Sequence, residues 1–345
     1  MRLSFIKAIR GLLLLVIPLC FCSCTSLFVI VGDEGTGEIV MSEVLSDGNP
    51  GDLSSVVTPG NIYDTWFIAA DGNPELLFYR HNRKSIMAAD SFSGEKADTF
   101  YSHSRYIHNL AVDVHCDQLY FTSTAVIDEQ RSLVFYRLDY SDYVDSVSDP
   151  VMIYSRPLAN DSNWQSDLVV NPMNNGRIYW AETYGSNNSR RKLILSAPLD
   201  DLKDGQVAHL DSDSNDFVLE MSRFAVDPKK EHIYWSHPRT EQFNMIGKAK
   251  LKYDSSAVEI ERWVNNDDSN LVFFPFGISL DHQQRRLYWA DRNLQWIAGA
   301  YLDSDPEKRV QILHRFDRES AAEKVRHIPT SLTTVRAGKR RGGQK

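Results

Sequence analysis

A short motif recurs four times after residue 110 of this chain: an acidic or amide residue, a polar turn, and then a tyrosine followed by a second aromatic residue. Short β-type segments that recur roughly every 40–60 residues are typical of a β-propeller, in which each repeat forms one blade. The motif therefore limits the fold before any single residue is considered. Its four copies are Asp113 with Tyr120-Phe121, Asn171 with Tyr179-Trp180, Asp227 with Tyr234-Trp235, and Asp281 with Tyr288-Trp289.

The last copy predicts the four strands of one blade. Residues 276–281, 287–291, 296–302 and 310–314 alternate between apolar and polar positions and are rich in aromatic and β-branched residues, as strands are. The same register predicts further blades. These cover residues 222–263, 166–211 and 109–155, and a weaker copy, Asp71 with Phe78, marks a fifth blade.

The two ends of the chain predict a sixth blade between them. Residues 28–31, 38–44 and 53–57 have the pattern of second, third and fourth strands, and residues 329–335 have the pattern of a first strand. Pairing the C-terminal strand with the N-terminal ones would close the ring and remove both open edges. We therefore predict an all-β, six-bladed propeller formed by one domain, residues 24–336. The alternative is a five-bladed ring with an N-terminal linker.

Residues 1–23 have the composition of an export signal. Arg2, Lys7 and Arg10 make the start positive, and residues 11–21 form an apolar run. A run of this length is short for a membrane-spanning helix and fits the central region of a secretory signal. We therefore expect residues 1–23 to be a signal peptide.

The end of this segment, Phe21-Cys22-Ser23-Cys24, resembles the signal of a bacterial lipoprotein, in which a cysteine after small residues is lipidated. The resemblance implies a lipid on Cys24 and a place in the bacterial cell envelope, anchored to a membrane and facing the periplasm or the outside. Phe21 stands where such signals usually have leucine, so Cys22 and Cys20 stay open as lipidated residues. A plain signal peptide or an uncleaved anchor would also export the chain.

The charge of the chain bears on its partners. Loss of the three positive charges of the signal takes the formal net charge from −8 to −11. A body this acidic repels phosphate backbones, so we expect no nucleic-acid partner. Residues 337–345 are basic and glycine-rich and are predicted to form a disordered tail. Cys116 is the one cysteine outside the N-terminal segment, which leaves the domain without an internal disulfide.

The repeats resemble the YWTD repeats of low-density lipoprotein receptor-type six-bladed propellers. Residues 288–291, Tyr-Trp-Ala-Asp, are the closest match; the copies at 179–182 and 234–237 lack the final Asp, and the copy at 120–123 lacks both Trp and Asp. In that family the aromatic residues pack between blades and the acid braces neighbouring backbone. The resemblance therefore implies structural roles for Tyr288, Trp289 and Asp291.

Propeller geometry sorts the connections between strands onto two faces. The turns between first and second strands are short and charged, whereas the loops between second and third strands and between blades are longer and richer in aromatic residues and arginine. Such residues are the usual anchors of protein interfaces, so the second face is the candidate site. We expect His237 and Arg239 to be exposed, because Pro238 between them marks a turn. The candidate binding residues are Trp164, Tyr184, His237, Arg239, Phe243, Arg292 and Trp296, of which Trp164 and Trp296 could equally pack between blades.

These observations predict a non-catalytic platform that binds an envelope or extracellular protein, possibly a polymer, without a cofactor or metal. The sequence contains no zinc-protease, serine-hydrolase or phosphate-loop motif. The alternative is a lactonase-like hydrolase or lyase with a metal in the central channel. That function would require carboxylate and amide side chains from different blades to converge.

Overall fold

Every regular element in the described part of the chain is a β-strand, as the period-2 patterns predict. The computed structural model describes residues 26–33, 38–45, 49–57, 68–70, 76–90, 97–113, 115–141, 148–158, 164–171, 176–184, 191–211, 221–237, 245–251, 259–265, 272–303, 310–316 and 329–337. Within these residues, no helix is long and apolar enough to cross a membrane. The predicted signal peptide and Cys24 lie outside the described residues.

The strands form six four-stranded antiparallel sheets, which are the blades of a propeller. Blade 1 contains β24 (Pro329–Ala337), β1 (Ser26–Asp33), β2 (Glu38–Val44) and β3 (Pro50–Val57); blade 2 contains β4 (Ile68–Ala70), β5 (Leu76–His81), β6 (Ser85–Asp90) and β7 (Asp98–Ser102); blade 3 contains β8 (Ile107–Asp113), β9 (Gln118–Ile127), β10 (Gln130–Asp139) and β11 (Val151–Pro157); blade 4 contains β12 (Trp164–Asn171), β13 (Arg177–Tyr184), β14 (Arg191–Pro198) and β15 (Val207–Asp211); blade 5 contains β16 (Phe224–Asp227), β17 (His232–His237), β18 (Met245–Lys250) and β19 (Ile260–Asn265); blade 6 contains β20 (Pro275–Asp281), β21 (Arg286–Asp291), β22 (Trp296–Tyr301) and β23 (Gln311–Arg315).

The first strands of the blades contact one another in a closed circle. Going around the ring, β24, β4, β8, β12, β16 and β20 each touch the next, and β20 returns to β24. The C-terminal strand β24 pairs antiparallel with β1 along its length, from Ser26 opposite Ala337 to Asp33 opposite Pro329. The six-bladed prediction and the closing strand are therefore confirmed, and the five-bladed alternative is wrong.

The acidic residue that begins each repeat stabilises the turn between the first and second strands. In the copies at Asp113, Asp227 and Asp281, Oδ1 accepts the backbone N–H of the residue two positions later, at 3.0, 3.1 and 3.0 Å. A side chain that fixes its own turn in this way explains why Asp or Asn recurs at this position. The fourth residue after the acid then takes a positive φ in each of these turns, at Asp117, Glu231 and Arg285.

The paired aromatic residues of each repeat join a blade to both of its neighbours. Tyr288 packs in a cluster with Leu27 and Val29 of blade 1, whereas Trp289 packs on the opposite side of its sheet with Tyr234 and Trp263 of blade 5. Successive residues of a strand point to opposite faces, so two adjacent aromatic rings serve two interfaces. The pairs in blades 3, 4 and 5 are divided between their two neighbours in the same way.

The last residue of the best-preserved motif braces backbone from inside the protein. The fully buried carboxylate of Asp291 accepts the N–H groups of Phe273 and Phe274 on Oδ2, and those of Asn293 and Leu294 on Oδ1, at 2.7–3.1 Å. Burial raises the pKa of this carboxyl, and the four hydrogen bonds act in the opposite direction. Tyr288, Trp289 and Asp291 thus have the structural roles that the YWTD resemblance implied.

Candidate binding face

The two faces of the ring are defined by the connections they carry. We call the face with the connections between second and third strands and between successive blades the long-loop face. Its described parts include residues 81–85, 102–107, 127–130 and 291–296. The opposite face, with the first-to-second and third-to-fourth connections, is the turn face. Loops on a rigid scaffold are the usual location of binding residues, so each sequence-predicted residue is located relative to the long-loop face.

Two of the predicted binding residues lie in the interior. His237, the last residue of β17, is only 2% exposed, so the expectation that it lies on the surface is wrong. It stands fourth in its copy of the repeat, where Asp291 stands in blade 6, and this position is interior in both blades. The prediction was based on the neighbouring proline, but the burial of His237 is determined by its register in strand β17.

Trp296 is 6% exposed and packs with Trp289 and Val272 in the core between blades 5 and 6. The guanidinium carbon of Arg315 lies 5.0 Å from the centroid of its ring. Trp296 therefore packs between blades, which was the alternative to a binding role in the sequence analysis.

Of the other predicted binding residues, only Arg292 has a side chain within the described residues. Arg292 is partly exposed just after β21, and its N–H donates to the carbonyl of Phe274 at 2.9 Å. Trp164 begins β12 and Tyr184 ends β13, at the long-loop end of blade 4, but their side chains lie outside the described residues. Arg239 and Phe243 also lie outside them. Binding by these residues stays a prediction.

Blade 3 has a feature of the long-loop face that sequence reasoning missed. Its second and third strands, β9 and β10, have 10 residues each, whereas those of the other blades have 6–8. Asp128 and Glu129 form the turn between them, both with positive φ. Val126, next to this turn, is 59% exposed, and Tyr106, just before the first strand of the blade, is 52% exposed. The long hairpin therefore brings Val126 to the long-loop face, where Tyr106 is exposed in the segment before β8.

Hydrogen bonds fix the backbone beneath Tyr106. The N–H of His103 donates to the carbonyl of Lys84 at 2.8 Å, and the N–H of Ile107 donates to the carbonyl of Arg83 at 2.7 Å. The hydroxyl of Ser123 donates to the carbonyl of Tyr106 at 2.7 Å. The segment between blades 2 and 3 is thus held on both sides. A partner that binds Tyr106 would have to order little of the chain.

Positive charge surrounds this segment on a chain that is acidic overall. Arg83, Lys84 and Arg105 are exposed, and the Nζ of Lys84 lies 5.8 Å from the centre of the Tyr106 ring. Burial and, to a smaller extent, Arg105 lower the pKa of His103. The pKa of a second histidine, His108, is also lowered, again mainly by burial.

Two further arginines, Arg80 and Arg131, act on His108, which lies on the inner strand of blade 3. Burial lowers the pKa of His108 to about 4, and the charges of Arg80 and Arg131 add to the effect. Arg80 reaches across from blade 2, with Nη1 donating to the carbonyl of Ile107 at 2.8 Å. Arg80 of blade 2 and Arg131 of blade 3 therefore both disfavour the protonated form of His108.

The central channel was the place where the alternative function required converging carboxylates. Asp167, on the inner strand β12, accepts the N–H of Leu168 on Oδ1 at 2.9 Å and that of Phe224 on Oδ2 at 2.8 Å. Arg223 Nη1 lies 3.7 Å from Oδ1. Burial raises the pKa of Asp167, and the charge of Arg223 opposes this. The carboxylate thus joins blades 4 and 5 with both oxygens engaged.

The carboxylate of Glu182, on the second strand of blade 4, is also occupied. Glu182 forms an ion pair with Arg156 of blade 3, Oε2 to Nη1 at 2.9 Å, and accepts the indole N–H of Trp180 on Oε1 at 2.7 Å. Among the residues that the structure describes, no group of three His, Cys, Asp or Glu side chains is arranged to hold a metal ion. Asp167 and Glu182 therefore act as braces between blades.

Comparison with known proteins supports the fold. No family model matches the chain, and no curated protein sequence matches it. Solved structures are similar at low identity. A chain of a nidogen/laminin complex superposes with a TM-score of 0.62 at 11% identity, covering 90% of this chain and 98% of that one. A putative 6-phosphogluconolactonase from Bacteroides uniformis gives a TM-score of 0.55 at 10% identity, covering 90% and 99%.

A third similar structure, TolB from Acinetobacter baumannii, gives a TM-score of 0.52 at 10% identity and covers 90% of this chain and 66% of that chain. The similar structures thus include a YWTD-type propeller and lactonase-like propellers. Identities this low show the six-bladed fold alone. Propellers include binding proteins and enzymes alike, so the fold does not identify the function of this chain.

Proposed function

We propose that this chain is an exported, lipid-anchored propeller that acts as a non-catalytic platform and binds a protein of the bacterial envelope or of the cell's surroundings. The binding surface is the long-loop face over blades 2 and 3. The observation that supports this proposal most is the long hairpin of blade 3 with Val126 exposed on it, together with Tyr106, exposed on the same face in the segment before β8. Exposed apolar side chains on a fixed backbone, next to arginine, are the usual composition of an interface centre.

The partners of two described carboxylates, Asp167 and Glu182, favour this function over a metal-dependent hydrolase. A hydrolase of the lactonase kind needs carboxylates that are available to a metal or a substrate. The oxygens of Asp167 are taken by backbone N–H groups and Arg223, and those of Glu182 by Arg156 and Trp180. A carboxylate that leaves such partners would leave buried donors unpaired, at a cost of about 1–3 kcal/mol each. A binding platform does not require these carboxylates to leave their partners.

A capture experiment tests the platform. The tagged protein is incubated with solubilised envelope extract, and the bound proteins are identified by mass spectrometry. The double variant Tyr106→Ser, Val126→Ser is expected to lose at least about tenfold of the captured partner, because two interface anchors contribute more than about 1.4 kcal/mol together. Both side chains are exposed, so the fold should be retained.

The matched control is Val151→Ser, Met152→Ser. These side chains are 52% and 55% exposed at the start of β11, the turn-face end of the same blade. The control is expected to capture the partner as the unchanged protein does. Equal capture by both double variants, or equal loss in both, would contradict binding through the long-loop face.

The lipid anchor is tested at Cys24. The lipoprotein-like signal predicts that Cys24→Ser abolishes labelling by a radioactive fatty acid and moves the protein from the membrane fraction to the soluble fraction. Cys116→Ser is the control, because this cysteine is exposed in the turn after β8 and has no part in the signal. Labelling that persists in Cys24→Ser would move the lipid to Cys22 or Cys20, and labelling absent from the unchanged protein would refute the anchor.

A further inference from the structure

Three exposed cations on the long-loop face have no carboxylate partner in the described part of the chain. They are Arg83 and Lys84, in the turn between β5 and β6, and Arg105, in the segment before β8. Described ion pairs elsewhere engage arginines and lysines of blades 3 to 6 but none of these three. We call Arg83, Lys84 and Arg105, together with Tyr106, the basic-aromatic patch.

The members of the patch are held together by the fold. The carbonyls of Arg83 and Lys84 accept the N–H groups of Ile107 and His103, which places the segment 103–107 against the β5–β6 turn. Lys84 lies over the ring of Tyr106 at 5.8 Å, a distance at which cation and ring attract each other. About twenty residues of sequence separate the two halves of the patch, but the backbone bonds make them one surface.

We infer that the partner of this propeller binds the basic-aromatic patch through a short acidic protein segment that carries an apolar residue. This inference rests on the proposed function and names the chemistry of its partner. Unpaired arginine and lysine beside an exposed aromatic ring are complementary to carboxylates next to an apolar side chain. Val126, on the hairpin of blade 3, is a second exposed apolar side chain on the same face.

The surrounding charges favour a short segment over an extended polyanion. The chain carries a formal net charge of −8, so a long anionic polymer or an anionic membrane surface would be repelled outside the patch. The exposed acids Asp128 and Glu129 at the hairpin tip lie on the same face and would repel a polyanion that extended over it. A segment of a few residues can place its carboxylates on the cations and avoid these acids.

The test uses a fluorescent peptide with two acidic residues on each side of one tryptophan, and a control peptide with the corresponding amides. Fluorescence anisotropy measures binding to the whole protein. The acidic peptide is expected to bind at least about tenfold more tightly than the amide peptide, and binding should weaken several-fold when the ionic strength rises from about 50 to about 300 mM.

A pair of charge-matched variants locates the binding. Lys84→Ser, Arg105→Ser removes two charges from the patch and is expected to weaken peptide binding at least about tenfold. Lys229→Ser, Lys230→Ser removes two exposed charges from the turn face and should leave binding within about twofold, because these lysines lie on the other side of the ring. Equal weakening in both variants would overturn the inference, as would equal affinity for the acidic and amide peptides.

Two further arms separate this inference from the proposed function. Binding of anionic lipid vesicles and of an anionic polysaccharide is measured in the same way. Tighter binding of either than of the acidic peptide would overturn the inference that the partner is an acidic protein segment. The acidic peptide is also added to the capture experiment, where it is expected to displace the captured partner. A partner that is captured but not displaced contradicts this inference and leaves the platform intact, whereas failure to capture any partner contradicts the platform itself.

Discussion

Removal of residues 329–345 is expected to lower the free energy of unfolding by more than about 5 kcal/mol, as much as the whole stability of many domains. This deletion removes β24, the first strand of blade 1. Its loss would leave the backbone of β1 without its ladder partner and expose the core around Leu332. It would also open the circle of first strands, because β24 touches both β20 and β4. Denaturant unfolding followed by circular dichroism measures the effect.

The control deletion removes residues 338–345 alone. These residues follow the last residue of β24, so every strand of the ring is kept. The control is expected to unfold within about 1 kcal/mol of the full chain, as changes away from packed structure usually do. Equal stability of the two deletions would mean that the C-terminal strand does not close the ring.

Replacement of Asp291 by alanine is expected to lower the free energy of unfolding by about 3–5 kcal/mol, because four backbone N–H groups lose a charged, buried acceptor. Two of these donors, at Phe273 and Phe274, belong to the connection from blade 5, and two belong to the turn after β21. The variant should therefore loosen a blade junction as well as a turn. Thermal and denaturant unfolding measure the loss.

Asp303→Ala is the matched control in the same blade. Asp303 is 60% exposed and pairs with Arg285 at 2.6 Å, and exposed ion pairs contribute about 0–1 kcal/mol. The same substitution at the surface should therefore cost much less than at Asp291. A loss at Asp291 no larger than the loss at Asp303 would contradict the role of a buried brace.

The blades could be predicted because one spacing governs both turn and packing. An acid that fixes its turn and an aromatic pair seven residues later occupy fixed registers, so Asp281, Tyr288 and Trp289 could be assigned structural roles from the sequence. The closing strand was visible for the same reason, since Pro329–Ala337 has the pattern of the first strand that the N-terminal blade lacks. Local chemistry thus determined these elements.

The site was harder to predict, because it depends on contacts between distant segments. The burial of His237 follows from its register at the end of β17, whereas the adjacent Pro238 suggested an exposed turn. The extra length of β9 and β10 was not predicted, because the turn between them is formed by Asp128 and Glu129, without the glycine or proline that usually marks a turn. The basic-aromatic patch exists only once backbone hydrogen bonds bring residues 83–84 and 103–107 together.

The most direct test of the binding face is site-specific photo-crosslinking in cells that make the full chain. A photoreactive amino acid is placed at Val126 on the long-loop face or at Gln283 on the turn face, where both native side chains are exposed. The account predicts a crosslinked partner from position 126 and none from position 283. Crosslinks from position 283 alone, or the same partner with equal yield from both positions, would contradict the claim that this propeller binds through its long-loop face.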